Sequence, residues 1–477
     1  MTTPGQRPGQ TPGQRFTRRV RSALRREAYG LLHAGPPSVQ LMRPLGPSVP
    51  DDARVQQVLD LCMRVGEVLL SSGESADETT QTMLRLAAVA GLSAVDVDIT
   101  FTSITMCCHR GMSASPVTSM RLVRYRSLDL TRLEAVARIV ERLERAELDI
   151  ETAATELSDA VSAPHPYPRW VATAGWAGLA GCIALLLGAE PLTAFVAFAV
   201  TGLIDRMGRL LNRWGLPAFF QQVVGGMVAT GITLVLLAAG VFPPGTTPSL
   251  AVAASITVLL SGLSVVSTVQ DAISSYYVTS AGRVAEIALL SAGLLTGVVF
   301  VLKIGIESNL RLEVAAELPS GAAQFGISLL AGAGAAAAFS LAGYARPRPL
   351  LAAGFAGAAG WGTYGVLTQV VALGPVAATG AAAVVVGIAT GLLRRMNGIS
   401  PLVVTLAGIT PLLPGLTAYR GFYQLAVEGL ADGLVTVTIA LGIGLALAAG
   451  VAFGDFLARP RRPTPVVVEA PSEAERQ

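Results

Sequence analysis

Ten long apolar stretches fill the chain from residue 170 onward: 170–188, 191–208, 218–241, 249–271, 283–304, 322–344, 349–371, 375–393, 401–420 and 432–457. Each is near the roughly 20 residues an α-helix needs to cross about 30 Å of hydrocarbon. A chain in lipid must satisfy its own backbone polar groups, so stretches this long and this numerous dictate a bundle of helices. Only 14% of the 477 residues are charged, against about 25% in soluble domains, and most of these precede the first stretch. The expected architecture is a polytopic α-helical membrane protein of about ten transmembrane helices, preceded by a small α+β cytoplasmic domain.

The charges between the stretches test the count. One set of loops carries Arg206, Arg209 and Arg213, then Arg283, Arg346 and Arg348, Arg394 and Arg395, and finally Arg459, Arg461 and Arg462. The alternate loops carry Glu190, Glu307, Glu313, Glu317, Glu428 and Asp432, opposed only by Lys303, Arg311 and Arg420. The positive-inside rule produces this alternation and places both chain ends in the cytoplasm. The net charge of +3 excludes the strongly basic class that binds nucleic acid.

Before the bundle, residues 1–49 read as a disordered basic tail, in which Phe16, Val20 and Leu24 fall at helical spacing among arginines and suit an anionic lipid surface. Residues 50–165 read as the aqueous domain. Val55, Leu59, Cys62 and Leu69 share one helical face, a second helix ends near Gly91, and 95–101 alternates like a half-buried strand with a partner near 118–128. Ser72, Ser75, Glu74 and His109 are the conceivable nucleophile and base here, but neither serine sits on a strand-turn-helix elbow. Cys107, Cys108 and His109 lack a second ligand cluster for a metal. The four cysteines, Cys62, Cys107, Cys108 and Cys182, show no disulfide framework. No cofactor is expected, the chain reads as a non-enzyme, and a homo-oligomer stays open.

The ten stretches divide into two fives, 166–310 and 311–458, with 459–477 as a C-terminal tail. "VLLSGLSVVSTVQD" from Val258 parallels "PLLPGLTAYRGFYQ" from Pro411. An odd number of spans inverts the second copy, and inverted repeats put substrate sites on interrupted helices at their interface. Gly262 in the first copy and Pro411, Pro414 and Gly415 in the second are the expected helix breaks. Ser264, Ser267, Thr268, Gln270, Asp271, Arg283, Glu286, Tyr419 and Arg420 are the candidate substrate and proton path. A charge facing lipid costs on the order of 2.5 to 3.5 kcal/mol, so Asp271 either serves a polar cavity or caps the cytoplasmic end of its helix.

These motifs carry a resemblance. The "LLSSGESADET" helix end, the "VDVDITFTSITM" strand, the Pro-x-Tyr-Pro-x-Trp entry, and the series Gly262, Asp271, Gly282, Arg283, Glu286 resemble the bacterial threonine/serine exporter family. The likeness covers about residues 50–457. Ser261 stands where that family has proline, and Ser274-Ser275 where it has Ser-Gly. The resemblance implies ten spans in the inner membrane, a cytoplasmic N-terminal domain, and export of threonine and serine driven by the proton motive force. Relatives linked to dicarboxylate export make a succinate-like substrate the alternative, and a membrane-anchored sensor or hydrolase is a second one.

Overall fold

Amphipathic period gives way to unbroken apolar runs near residue 169, and the architecture changes with it. The computed structural model describes residues 51–110, 114–123, 128–260, 262–310, 312, 322–393, 401–427 and 430–458. The N-terminal basic segment, Ser261, the loop charges Arg311, Glu313, Glu317, Arg394, Arg395 and Glu428, and the C-terminal tail lie outside the described residues.

The first part comprises α1 (Asp52–Ser71), α2 (Ala76–Val89), the antiparallel sheet β1 (Val95–Thr100), β2 (Ser103–Cys108) and β3 (Val117–Leu122) in that order, then α3 (Leu130–Glu144) and α4 (Ile150–Ser162). The apolar faces meet in one core containing Val55, Leu59, Cys62, Met83, Ile104, Met106, Leu133 and Leu157. The sequence suggests one long strand through residue 101, but the chain reverses at Phe101 and Thr102, pairing Ile99 with Ile104. The inward residues are odd-numbered before this turn and even-numbered after it. That change of phase is the trace a two-residue hairpin leaves in a period-two pattern. Phe101 has a φ of 53°, uncommon for a bulky residue, and its tertiary contact below accounts for it.

The second part runs α5 (Arg169–Leu186), α6 (Pro191–Arg213), α7 (Ala218–Ala238), α8 (Ser249–Leu259), α9 (Gly262–Ile273) and α10 (Tyr277–Glu307). It continues with α11 (Ala322–Ala342), α12 (Pro347–Gln369), α13 (Pro375–Leu393), α14 (Pro401–Ile409), a 3₁₀ turn (Thr410–Leu412), α15 (Gly415–Val427) and α16 (Leu430–Ala458). The same series occurs twice: three long helices, one broken helix, and one of 31 or 29 residues. One shift along the sequence carries Arg169 onto Ala322, Leu260 onto Leu413 and Tyr277 onto Leu430. Packing repeats as well. Helix α7 lies on α10 through Gly297 against the Val223 carbonyl, and α13 lies on α16 through Gly450 against the Gly380 carbonyl. Small residues at such crossings let backbones approach where lipid supplies no hydrophobic drive.

Seven described helices are long and apolar enough to span a membrane, or eight if α8 and α9, bent by 48°, count as one. The ten expected crossings are therefore not all of this kind. Helix α6 ends in Asp205, Arg206, Arg209 and Arg213, and α14 and α15 are short because the chain breaks between them.

The α+β part is joined to the helices by shared packing. Ala345 and Val403 belong to its core, the Leu130 N–H donates to the Gly343 carbonyl at 2.9 Å, and His165 stacks on Tyr344 with ring centres 4.2 Å apart.

Candidate functional site

Each broken helix fails at the same register. Leu260 ends α8 with φ −67° and ψ 127°, and Leu413 follows the 3₁₀ turn with φ −63° and ψ 140°. In the second copy the cause is local, because Pro414 disfavours helical backbone at the residue before it. The first copy has no proline. There Gln222 of α7 donates its Nε2 to the Leu259 carbonyl at 3.3 Å, taking up a helix-end acceptor that lipid would leave unsatisfied. The two copies touch where Gly415, the first residue of α15, rests on the side chain of Thr257 in α8.

Beside this crossing lies a cavity of about 260 Å³. Its walls include Trp176, Leu179 and Ile183 of α5, Thr257 to Leu260 and Ser264 around the first break, Phe339 of α11, and Leu406, Thr410 and Leu413 around the second. Ser71, Ser72, Gly73 and Leu128 of the aqueous domain complete it. No charged side chain lines it among the described residues. Helices α8 and α14 run toward it with their carbonyl ends and α9 and α15 begin beside it, so the partial charges of both helix termini converge there. A second cavity of about 380 Å³ shares Trp176, Val258 and Leu259 and is bordered by Asp205, Arg209, Gln221 and Gln222.

Of the nine polar candidates, Ser264 alone is in the described wall of the first cavity. Ser267 and Thr268 turn back to the Ser264 carbonyl at 3.3 and 2.5 Å. Gln270 and Glu286 are half-buried on α9 and α10, as is Arg420 on α15. Tyr419 is fully buried with its ring 6.5 Å from that of Tyr423. Gly262 opens α9, Pro411 lies in the 3₁₀ turn, and Pro414 and Gly415 lead into α15.

Asp271 and Arg283 form a different site. Both are buried, and Arg283 Nη1 stands 2.9 Å from Asp271 Oδ2. The other carboxylate oxygen accepts from the backbone N–H of Ala76 at 2.7 Å, across 195 residues. Arg283 Nη2 donates to the Glu74 carbonyl at 3.1 Å. Ser75 and Glu78 read as a capping box, and the Ser75 hydroxyl does accept from the Glu78 N–H at 3.3 Å. Asp271 is thus a second, foreign cap on the positive end of α2. Glu74 is buried in the same turn. Burial pushes its carboxyl up to about 8, aided by Glu78 and Asp271 and opposed by the Ser75 N–H and Arg283. Ser72 is spent on the Val68 carbonyl at 2.7 Å, and His109 meets Asp96 at 3.1 Å.

One helical turn away, the hairpin seats on the start of α10. The Phe101 N–H donates to Thr279 Oγ1 at 3.0 Å, and that hydroxyl donates to the Ile99 carbonyl at 2.8 Å. A Cβ at Gly282 would stand 2.9 Å from the Phe101 ring. Gly282→Ala is expected to cost about 1 to 3 kcal/mol by overpacking, read as a lower thermal midpoint of the full-length protein. Adding Phe101→Leu recovers most of the loss if ring contact is the cause; no recovery refutes this seating.

The equivalent hairpin of the second copy lacks these charges. The shift that carries Leu260 onto Leu413 carries Asp271 onto Gln424 and Arg283 onto Thr436, and Thr436 donates to Gln424 Oε1 at 2.5 Å. The contact is kept, with neutral partners, where no aqueous domain docks among the described residues. Sequence reasoning singled out Asp271, Arg283 and Gly282 but not Ala76, Phe101 or Thr279, because a foreign backbone N–H has no signature in sequence.

Repeated helix sets, breaks in matching register and a largely apolar cavity between them, edged by the hydroxyls of Thr257, Ser264 and Thr410, define a multi-pass membrane protein. Comparison with known proteins is specific: the family described as "Putative threonine/serine exporter" matches residues 60–305, and "Threonine/Serine exporter, ThrE" matches 328–457. The chain belongs to the threonine/serine exporter family. It is 38% identical over 420 residues to a "Probable threonine/serine exporter" of Mycobacterium tuberculosis, covering 86% of this chain and 78% of that one. It is 35% identical over 441 residues to the "Threonine/serine exporter" of Corynebacterium glutamicum, covering 91% and 88%. The "Probable succinate transporter subunit YjjP" of Escherichia coli is 26% identical over 248 residues, 52% of this chain and 94% of that one. No solved structure matches.

Proposed function

We propose that this protein exports small neutral amino acids, threonine and serine foremost, across the bacterial inner membrane by alternating access, using the proton motive force. The observation that carries this reading is the cavity between the breaks. Its described wall holds no ionised side chain, while carbonyl ends suit an ammonium and amide ends suit a carboxylate. A zwitterion with a short polar side chain fits such a wall; a dianion would call for cations it does not supply. The volume is just below the roughly 300 to 1,000 Å³ of pockets for drug-sized ligands. Thr257 and Thr410, whose hydroxyls donate to the Ala253 and Leu406 carbonyls, keep lone pairs for an ammonium. Names of the relatives point the same way.

The membrane part is read as ten crossings in two inverted five-helix repeats, 166–310 and 311–458, with residues 50–165 as the cytoplasmic domain. That domain docks on the α9–α10 junction and the α11–α12 turn, which belong to the loops assigned to the cytoplasm by charge. Asp271 and Arg283 are assigned to docking and Ser264 to the cavity.

The test is efflux from cells lacking other exporters, loaded in turn with threonine, serine, alanine and succinate. Threonine and serine are expected to leave at least about tenfold faster than from cells without the protein, and an uncoupler abolishes the difference. Efflux of succinate alone overturns the substrate; efflux indifferent to the uncoupler overturns the coupling.

A further inference from the structure

Proton coupling requires a titratable group that changes its surroundings as the cavity changes access. None lines the described cavity wall. Asp271 is held between Arg283 and the Ala76 N–H, so both of its carboxylate oxygens are already engaged in the docked contact. Glu74 is differently placed. It directly follows the cavity-lining residues Ser71, Ser72 and Gly73, is 8% exposed, and meets Arg283 through its backbone carbonyl rather than its carboxylate.

We propose that Glu74, in the aqueous domain, is the residue that carries the coupling proton, and that the turn from Ser71 to Ser75 is the cytoplasmic gate of the substrate cavity. This deepens the exporter reading and rests on it. Charge accounting supports the assignment. With Glu74 protonated, the docked turn buries one anion, Asp271, against one cation, Arg283. Ionised, it adds a second buried anion that Glu78 of α2 and Asp271 of α9 both repel, opposed by the Ser75 N–H, which donates to its Oε1 at 3.4 Å, and by Arg283 of α10. Docking therefore takes up a proton and lifting the turn releases one.

The sign follows from the raised carboxyl. An exposed glutamate titrates near about 4.3 and the docked one near about 8. Docking is strongest below the lower value, weakens as pH rises through this interval, and is at its weakest above the higher one. At a pH between them, lifting the turn breaks the carboxyl O–H bond, leaves the carboxylate and gives the proton to cytoplasmic water. The turn then reseats only after Glu74 regains a proton, delivered by water in the cavity when it faces the opposite side.

The experiment uses the full chain in proteoliposomes and labelled threonine, with two measurements on each variant. One is exchange of internal for external threonine without a pH gradient, which needs the gate but no net proton movement. The other is accumulation against an inside-acid gradient of one pH unit, worth about tenfold for one proton per amino acid. Wild type is expected to do both. Glu74→Gln is expected to exchange but to lose the tenfold accumulation, and Glu74→Asp to restore it. Glu134→Gln, at another buried carboxyl of the aqueous domain, is the comparison and is expected to accumulate. Accumulation by Glu74→Gln overturns the proposal and leaves the exporter reading standing, as does loss of accumulation in Glu134→Gln alone. Wild type that exchanges without accumulating overturns Glu74 as a proton carrier. Wild type that moves no threonine sinks the exporter reading and this proposal with it.

Discussion

Asp271→Ala is expected to loosen the aqueous domain from the membrane helices by about 3 to 5 kcal/mol, the usual cost of removing one partner of a buried ion pair. The substitution removes the carboxylate that stands 2.9 Å from the buried Arg283 and leaves the Ala76 N–H without the acceptor it has at 2.7 Å. Hydrogen exchange of the full-length protein reads the effect directly. Amides of α2 near Ala76 should exchange at least about a hundredfold faster, since each 1.4 kcal/mol is tenfold, while amides of α7 and α13 stay as protected as before. Arg283→Met is expected to act similarly. Combining Asp271→Leu with Arg283→Met should be milder than either single change, because no uncompensated charge stays buried. Additive single effects would mean that the two side chains do not depend on each other, and docking would then rest on Phe101, Leu130 and His165 alone.

Much of this architecture is written in the chain, for physical reasons that differ between parts. Continuous apolar length announces membrane helices because lipid admits little else, and the parallel of Leu259-Leu260 with Leu412-Leu413 announces the breaks. The amphipathic faces of α1 and α3 are legible because each has only one core to face. Docking is not legible in this way. Asp271 in an apolar run signals that something polar meets it, but its partner is a backbone amide 195 residues earlier in the chain, and any residue type except proline supplies one. Ser75 and Glu78 have the spacing of a capping box, a signal overlooked when the serine is weighed as a nucleophile. Ser264 was visible as a hydroxyl near a break, whereas Trp176, on a helix with no break, gives no sign that it walls the cavity. The alternation from 95 to 108 records the Phe101 turn only through its phase, since the turn lacks the Asn-Gly pair that usually marks a hairpin.

The contact between the two breaks gives the largest steric prediction. Gly415→Ala is expected to destabilise the bundle by at least about 3 kcal/mol, the upper end of what extra methyl groups usually cost in a packed core. Added to Gly415, a Cβ would overlap the Oγ1, Cβ and Cγ2 atoms of Thr257. Thr257 has little freedom to retreat, because it is β-branched within a helix and its hydroxyl is bonded to the Ala253 carbonyl at 2.8 Å. Conformational freedom is not what the glycine supplies, since its backbone is outside the left-handed region, and alanine is the better helix former by about 1 kcal/mol. Propensity alone therefore predicts a small gain, and steric exclusion predicts a large loss. A series of second-site changes separates them further, with thermal midpoint and yield of monodisperse protein as the readouts. Thr257→Ala should rescue Gly415→Ala only in part, because its Cβ remains in the way, and Thr257→Gly should rescue it more fully despite its own helix cost. The order of these three proteins is fixed by which atoms of residue 257 persist. Equal stability of Gly415→Ala and wild type would show that the breaks do not meet at this point, and the cavity between them would have to be redrawn.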